Sequence, residues 1–328
     1  MGNMKERLSA IFAKTKPEER ELFERAAQII RSGGLVGMPT ETVYGLAANA
    51  LDAEAVKKIY LAKGRPSDNP LILHVCDIEM AALCVELNQR AESLMELFWP
   101  GPLSLVLNAK PVVPARTRGG LSTAAIRMPN NRIALELIKA SGVPIAAPSA
   151  NISGRPSPTD SKTVKDDLGD NVDMVLDGGP TYVGVESTVL DVTGEDAVLL
   201  RPGGISKEQL EDALNAEVKL PQDGNIIKRS PGTRYRHYAP KIPLVLSEPC
   251  DAEKAAGGKR WIWIGVSEPA AVPYKKVLFS SQDEYARELF RVLRLAENSG
   301  AELIVAETPN ERGIGRALMD RLVRASGI

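Results

Sequence analysis

Short apolar runs bounded by glycine, proline or asparagine alternate with amphipathic stretches along nearly the whole chain, and that alternation leaves an α/β architecture as the expectation. The stretch "EERELFERAAQIIRSGG" (Glu18 to Gly34) places apolar residues at helical spacing and stops on a glycine pair. "AEAVKKIYLAKG" and "NRIALELIKASG", the latter closing on Gly142, read as further helices. "PLILHV", "LSLVLNA", "AAIRMP" and "VPIAAPSAN" read as strands, followed by "DMVLDGG", "STVLDVTG" and "AVLLRPGG". "LVGMPTETVYGLAANA" reads as a strand, a turn and the start of a helix. The later strands follow one another so closely that a mixed sheet is expected rather than a doubly wound one.

A chain of 328 residues exceeds a typical single domain, and the pattern divides it. Residues 1–217 form the first expected unit, and 243–328 form the second. The second opens on "IPLVLS" and "RWIWIGV" and continues through "DEYARELFRVLRLAENSG", "AELIVAE" and "GIGRALMDRLVRASG", the outline of a small Rossmann-like three-layer α/β domain. Between them, 218–242 has no amphipathic period and carries "IIKRSPGTRYRHYAPK", so it reads as an ordered linker. Pro231 and Pro240 restrict it, and Arg234, Arg236 and His237 could meet an anion, so the segment reads either as a stiff connector whose cations are only solvated or as a lid over a ligand.

Composition excludes several function classes. A net charge of −1 lacks the basic excess of a dedicated nucleic-acid binder, so any cationic site must be local. Cys76, Cys84 and Cys250 lack metal-type spacing and are odd in number, and His74 and His237 are the only histidines. No protein-built metal site is expected. No apolar run reaches membrane-spanning length, and the opening "MGNMKERLSAIFAK" has no long apolar stretch, so a cytoplasmic protein is expected.

Within this frame the polar residues gather near the expected strand ends. Lys63 and Arg65 flank a glycine after a helix, where cations also simply offset the helix dipole. "PTETVYG" sets Thr40, Thr42 and Tyr44 in one turn, either as ligand contacts or as partners of the turn's own backbone. In "APSANISGRPSPT", small residues allow close backbone approach while Ser149 and Asn151 supply polar groups; a plain surface loop is the alternative. Arg127 stands in an otherwise apolar strand and needs an anion, from the protein or from a substrate. Arg201 follows the same pattern before a glycine turn. Phosphates and carboxylates are the natural ligands of such a cleft.

The segments "GMPTETVYGLAANA", "IYLAKGRPSDNPLILHV", "FWPGPLSLVL", "IRMPN", "IAAPSANISGRPSPT" and "VGVESTVLD" together resemble the YrdC-like family, from Gly34 to Gly204, and "SPGTRYRHYAPK" with "GIGRALMDRL" resembles its long two-domain form. The resemblance implies a YrdC-like twisted mixed sheet. It also implies condensation of L-threonine, bicarbonate and ATP to L-threonylcarbamoyl-adenylate and pyrophosphate, with the product handed to the machinery that modifies adenosine 37 of tRNA. By the same resemblance Lys63, Arg65, Ser149 and Asn151 hold the phosphates and the reacting carbamate, and Asn69, Thr123, Ser157, Arg201 and His237 surround the nucleotide. Thr42, His74, Arg127, Ala147 and Ser187 line the threonine pocket, with Thr40 and Tyr44 as alternates for Thr42. With no acidic cluster in the sequence, Mg²⁺ is expected to arrive on ATP. Two other readings remain open: an RNA-binding module of the translation machinery following the cations and tyrosines of the linker, and a carbamoyl-transfer enzyme using a related adenylate. No stable nucleic-acid binding is expected of the favoured reading.

Overall fold

The computed structural model describes residues 3–13, 16–221 and 237–327; the linker segment holding Pro231, Arg234 and Arg236 lies outside them. The first unit runs α1 (Met4–Phe12), α2 (Pro17–Arg31), β1 (Val36–Met38), β2 (Gly45–Asn49), α3 (Ala53–Lys63), β3 (Ile72–His74), α4 (Ile78–Cys84), α5 (Gln89–Phe98), β4 (Leu103–Asn108) and β5 (Thr123–Arg127). It continues through α6 (Arg132–Ser141), β6 (Ile145–Ala146), α7 (Ser161–Leu168), β7 (Met174–Val175), β8 (Thr188–Asp191), β9 (Val198–Arg201) and α8 (Lys207–Leu214). The helix stops are those of the sequence: Gly64 and Gly142 follow α3 and α6 in the left-handed region, at φ 58° and 66°, where a side chain would be strained. The apolar alternation does not announce α4, α5 and α7. They begin on Asp77, Asn88 and Asp160, whose side chains accept backbone amides of Met80, Ala91 and Thr163.

Nine strands form one mixed sheet in the order β7-β1-β2-β6-β3-β5-β4-β8-β9. One expectation is overturned here. "GLAAN" does not begin a helix; it is β2, paired antiparallel with both β1 and β6. Alanine favours a helix in isolation, but this segment is buried between two strands, and a Cβ added at Gly45 would lie 3.0 Å from Ala147 Cβ. Tertiary packing outweighs propensity at that position.

The pleat separates the central strands into two faces. Leu73, Ile126, Leu105 and Leu190 belong to the large core beneath the helices, whereas Ile72, Ala125, Val106 and Val189 form a small cluster on the opposite face. His74 and Arg127 share the parity of Ile72 and Ala125, and the register of β3 and β5 pairs them directly.

In the second unit β10 (Leu244–Ser247), α9 (Ala252–Ala256), β11 (Trp261–Gly265), β12 (Lys275–Leu278), α10 (Gln282–Ala296), β13 (Leu303–Glu307) and α11 (Gly315–Ser326) build a four-stranded, all-parallel sheet ordered β10-β13-β11-β12. Both faces are covered: α10 and α11 pack on Ile262, Ile264, Ile304 and Ala306, and α9 packs on Trp261, Trp263, Leu303 and Val305. Burial on both sides explains the unbroken apolar runs "WIWI" and "LIVA". The edge strand β12, opening on Lys275 and Lys276, lacks that signal. Val43 and Val185 of the first unit join the cluster under α10 and α11, so the second unit seats against the face that carries His74 and Arg127. No helix among the described residues is long and apolar enough to cross a membrane.

Candidate active site

A cleft partly open to solvent lies over that second face. Its walls come from the β1–β2 turn, the ends of β3 and β5, the loop after β6, the approach to β8, the end of β9 and the chain at His237. Arg65, Ser149, Asn151, Thr42, His74, Arg127, Ala147, Ser187, Arg201 and His237 all line it. Lys63, Asn69, Thr123 and Ser157 are buried but do not line it.

The S-x-N loop is built from behind. The Lys63 ammonium, 2% exposed, donates to the carbonyls of Ser149 and Asn151, and the Lys63 carbonyl accepts the Ser153 amide. Burial, then the neighbouring Arg65, holds the Lys63 pKa well below its ordinary value. The Asn151 amide group donates to the carbonyls of Ile152 and Arg155, leaving Oδ1 without a partner. Arg65 spends one nitrogen on the Pro70 carbonyl at 3.1 Å, while its Nε has none. Burial lowers its pKa to about 10, leaving it a cation at neutral pH. Asn69 is fully buried, and neither its Oδ1 nor its Nδ2 has a hydrogen-bond partner. Polar atoms left open in this way are costly without a ligand.

The anion that Arg127 requires is supplied by the protein. Its Nη2 lies 2.6 Å from Glu41 Oε2, Nη1 donates to Thr42 Oγ1 at 3.1 Å, and Nε to the Gly101 carbonyl at 3.2 Å. Glu41 also accepts the Asn130 amide at 3.0 Å. Thr40 and Thr42 both line the cleft and share a 2.8 Å hydrogen bond. Tyr44 does not line it; its hydroxyl donates to the Gly179 carbonyl and accepts the Gly178 amide in the core. His74 is buried with Nδ1 unpartnered, and desolvation, aided by Arg127, lowers its pKa to about 3, so the ring is neutral at physiological pH. His237 is likewise held near 3, by burial and then Arg65.

Two acidic residues escaped the sequence reading. Glu41, between the two threonines, could have been suspected as the partner of Arg127. Glu186, immediately before Ser187, lines the cleft; its carboxyl oxygens accept Ser157 Oγ at 2.6 Å and Arg321 Nε at 2.8 Å. Burial raises the Glu186 pKa, but Arg321 and Arg201 outweigh it and hold the group ionised. Arg201 itself caps the Ser187 carbonyl, at 2.9 Å from Nη2.

Comparison with known proteins places these residues in context. Residues 28–203 match the Sua5/YciO/YrdC family model, described as telomere recombination, and 205–327 match the C-terminal domain model of threonylcarbamoyl-AMP synthase. The chain is 45% identical to threonylcarbamoyl-AMP synthase of Pyrococcus abyssi, over 92% of this chain and 93% of that protein. It is 44% identical to the Bacillus subtilis protein of the same name, over 92% of each. The crystal structure of P. abyssi Sua5 complexed with L-threonine superposes with a TM-score of 0.88 at 44% identity, covering 94% of this chain and 95% of that one.

Proposed function

The chain belongs to the threonylcarbamoyl-AMP synthase family in its two-domain form, and from that premise we propose that it condenses L-threonine, bicarbonate and ATP to L-threonylcarbamoyl-AMP and pyrophosphate. The product then supplies the threonylcarbamoyl group for modification of adenosine 37 in tRNA. One juxtaposition carries this assignment: the open Nε donor of the cationic Arg65 shares a cleft with the Arg127–Thr42 pair, so a donor for an anion and a hydroxyl contact line one site.

The chemistry needs no nucleophile from the protein. Bicarbonate takes up a proton and releases water as its C–O bond breaks to give CO₂; the neutral threonine amine attacks the CO₂ carbon and loses a proton, which balances the one taken up. An oxygen of the resulting carbamate attacks the α-phosphorus, and the bond from that phosphorus to the bridging oxygen breaks as pyrophosphate leaves. Two anions must approach, so Arg65 neutralises charge while Ser149 and Asn151 orient the reacting groups. Neutral His74 offers hydrogen bonding without charge beside Arg127. Arg127 keeps a cation close to the amino acid's carboxylate although Glu41 offsets its net charge. Asn69, Thr123, Ser157, Arg201 and His237 serve the nucleotide side, and Ala147 and Ser187 the threonine side. Among the described residues the only carboxylate lining the cleft is Glu186, and both its oxygens are engaged; Mg²⁺ is accordingly read as entering on the triphosphate.

The test is incubation with ATP, threonine and ¹⁴C-bicarbonate, with products identified by mass spectrometry. Label in a species of threonylcarbamoyl-adenylate mass is expected, and a hydroxyl-binding pocket should favour threonine strongly over valine. No labelled adenylate, or equal rates with valine, overturns the assignment.

A further inference from the structure

Arg321 sits on α11 of the second unit with 0% of its surface exposed, and a guanidinium persists in an interior only against compensating partners. Two of those partners, Glu186 and Tyr238, line the cleft. Nε donates to Glu186 Oε2 at 2.8 Å, Nη1 donates to the carbonyl of Pro202, next to Arg201, at 2.9 Å, and the guanidinium lies 5.5 Å from the Tyr238 ring centroid. Within its own helix it pairs with Asp320 at 2.7 Å. Glu186 passes the contact on, because its other oxygen accepts the Ser157 hydroxyl at 2.6 Å.

We propose that Arg321 is a positioning residue for the nucleotide side of the cleft, acting through Glu186 on Ser157. This rests on the reading that the cleft takes ATP. Glu186 lines a site that must accept a triphosphate, and an uncompensated carboxylate there would repel it. Arg321 offsets that charge together with Arg201, and its planar fork reaches Glu186 and the Pro202 carbonyl at once, fixing the approach to β8 and the exit of β9 relative to each other. Other ion pairs across the units, Arg294–Asp167 and Arg155–Glu297, attach α10 to the first unit without touching Glu186. The second unit therefore does two separable things: it docks, and it completes the electrostatics of the cleft.

The experiment uses the full-length chain with Arg321→Met, Arg321→Lys, Glu186→Gln, the Arg321→Met/Glu186→Gln double variant, and Glu297→Gln as a docking control. Arg321→Met is expected to weaken ATP binding about tenfold or more while threonine binding changes less than about twofold, both by titration calorimetry. Arg321→Lys should recover part of the loss, since it restores charge without the fork. The double variant should bind ATP better than Arg321→Met at the same melting temperature, because the uncompensated carboxylate is gone. Glu297→Gln should lower the melting temperature and leave ATP affinity unchanged. Wild-type ATP affinity in Arg321→Met, parallel losses for both substrates, or a double variant no better than Arg321→Met would overturn the proposal. If Arg321→Met does not fold, Arg321→Lys carries the ATP-selective expectation in smaller measure, and wild-type ATP affinity in it overturns the proposal. A ligand-free readout separates this from the functional reading: deuterium uptake across 154–158 and 185–188 should rise in Arg321→Met whether or not the wild type makes the adenylate, and unchanged uptake sinks the positioning role.

Discussion

At the strand ends of the four-stranded sheet, Trp263 Nε1 donates to the Ser267 carbonyl, the Tyr285 hydroxyl to the Ile264 carbonyl, and Glu307 accepts the amides of Val266 and Ser267. Over the nine-stranded sheet, Arg65, Asn69, His74, Asn151 and His237 each keep a buried polar atom with no hydrogen-bond partner. The two interiors thus differ in what they leave unfinished. The small sheet spends the polar groups at its strand ends on its own stability, and its open atoms, Arg294 Nε, Arg316 Nε and Arg321 Nη2, lie on its helices. The large one holds groups open at a cost of about 1–3 kcal/mol each, the mark of a surface prepared for a ligand.

The contrast breaks most easily through packing in the small sheet. Trp263→Ala, at a residue with no exposed surface, should lower unfolding free energy by about 3–5 kcal/mol, measured by denaturant titration of the full chain. A loss under about 1 kcal/mol would show that this interior is less closely packed than the contacts of Trp263 indicate. In the cleft the same order of energy should appear in rate instead. Arg65→Ala should cut pyrophosphate release about a hundredfold or more with a near-native unfolding midpoint, since one hydrogen bond to Pro70 is lost. Turnover at the wild-type rate would remove Arg65 from the chemistry.

Lys63 sharpens the comparison because it belongs to the cleft's motif yet is bonded like a core residue. Lys63→Met strands the carbonyls of Ser149 and Asn151, so it should cost about 1–3 kcal/mol of stability in addition to activity, unlike Arg65→Ala. An unchanged melting temperature would contradict the buried role. The smallest effect is a slope with pH. His74 and His237 titrate near 3 when folded and 6.5 when unfolded, so between those values the unfolded chain binds more protons. Stability should fall as pH drops through about 6.5, the slope approaching about 1.4 kcal/mol per unit for each histidine, and the histidine contribution is complete above that range. The chain has two histidines, so His74→Gln with His237→Gln should flatten the curve between pH 5 and 7. A slope that survives both substitutions would refute the assignment.

Local signals made much of this molecule readable. Gly64 and Gly142 ended helices where their freedom at positive φ was needed, and "PLILHV" and "AAIRMP" became the adjacent strands that present His74 and Arg127. Where "GLAAN" misled, its small residues served close packing between strands, and nothing in the segment itself distinguishes that use from helix formation. The polar positions around the cleft were legible as a set, because cations and hydroxyls beside short apolar runs have few other uses. Their individual roles were not. Lys63 and Arg65 stand two apart in sequence, yet one is spent on backbone carbonyls behind the cleft and the other lines it.

By itself the sequence determined the α/β class, the mixed character of the first sheet, two of the three helices described in the second unit and the polar loops, since periodicity, caps and turn residues act over a few positions. Only the tertiary structure decided which charges meet. Arg127 takes Glu41, and Arg321 reaches Glu186 across 135 residues, because a buried charge is compensated by whatever the packing of distant elements brings within about 3 Å of it, and no local pattern encodes that distance.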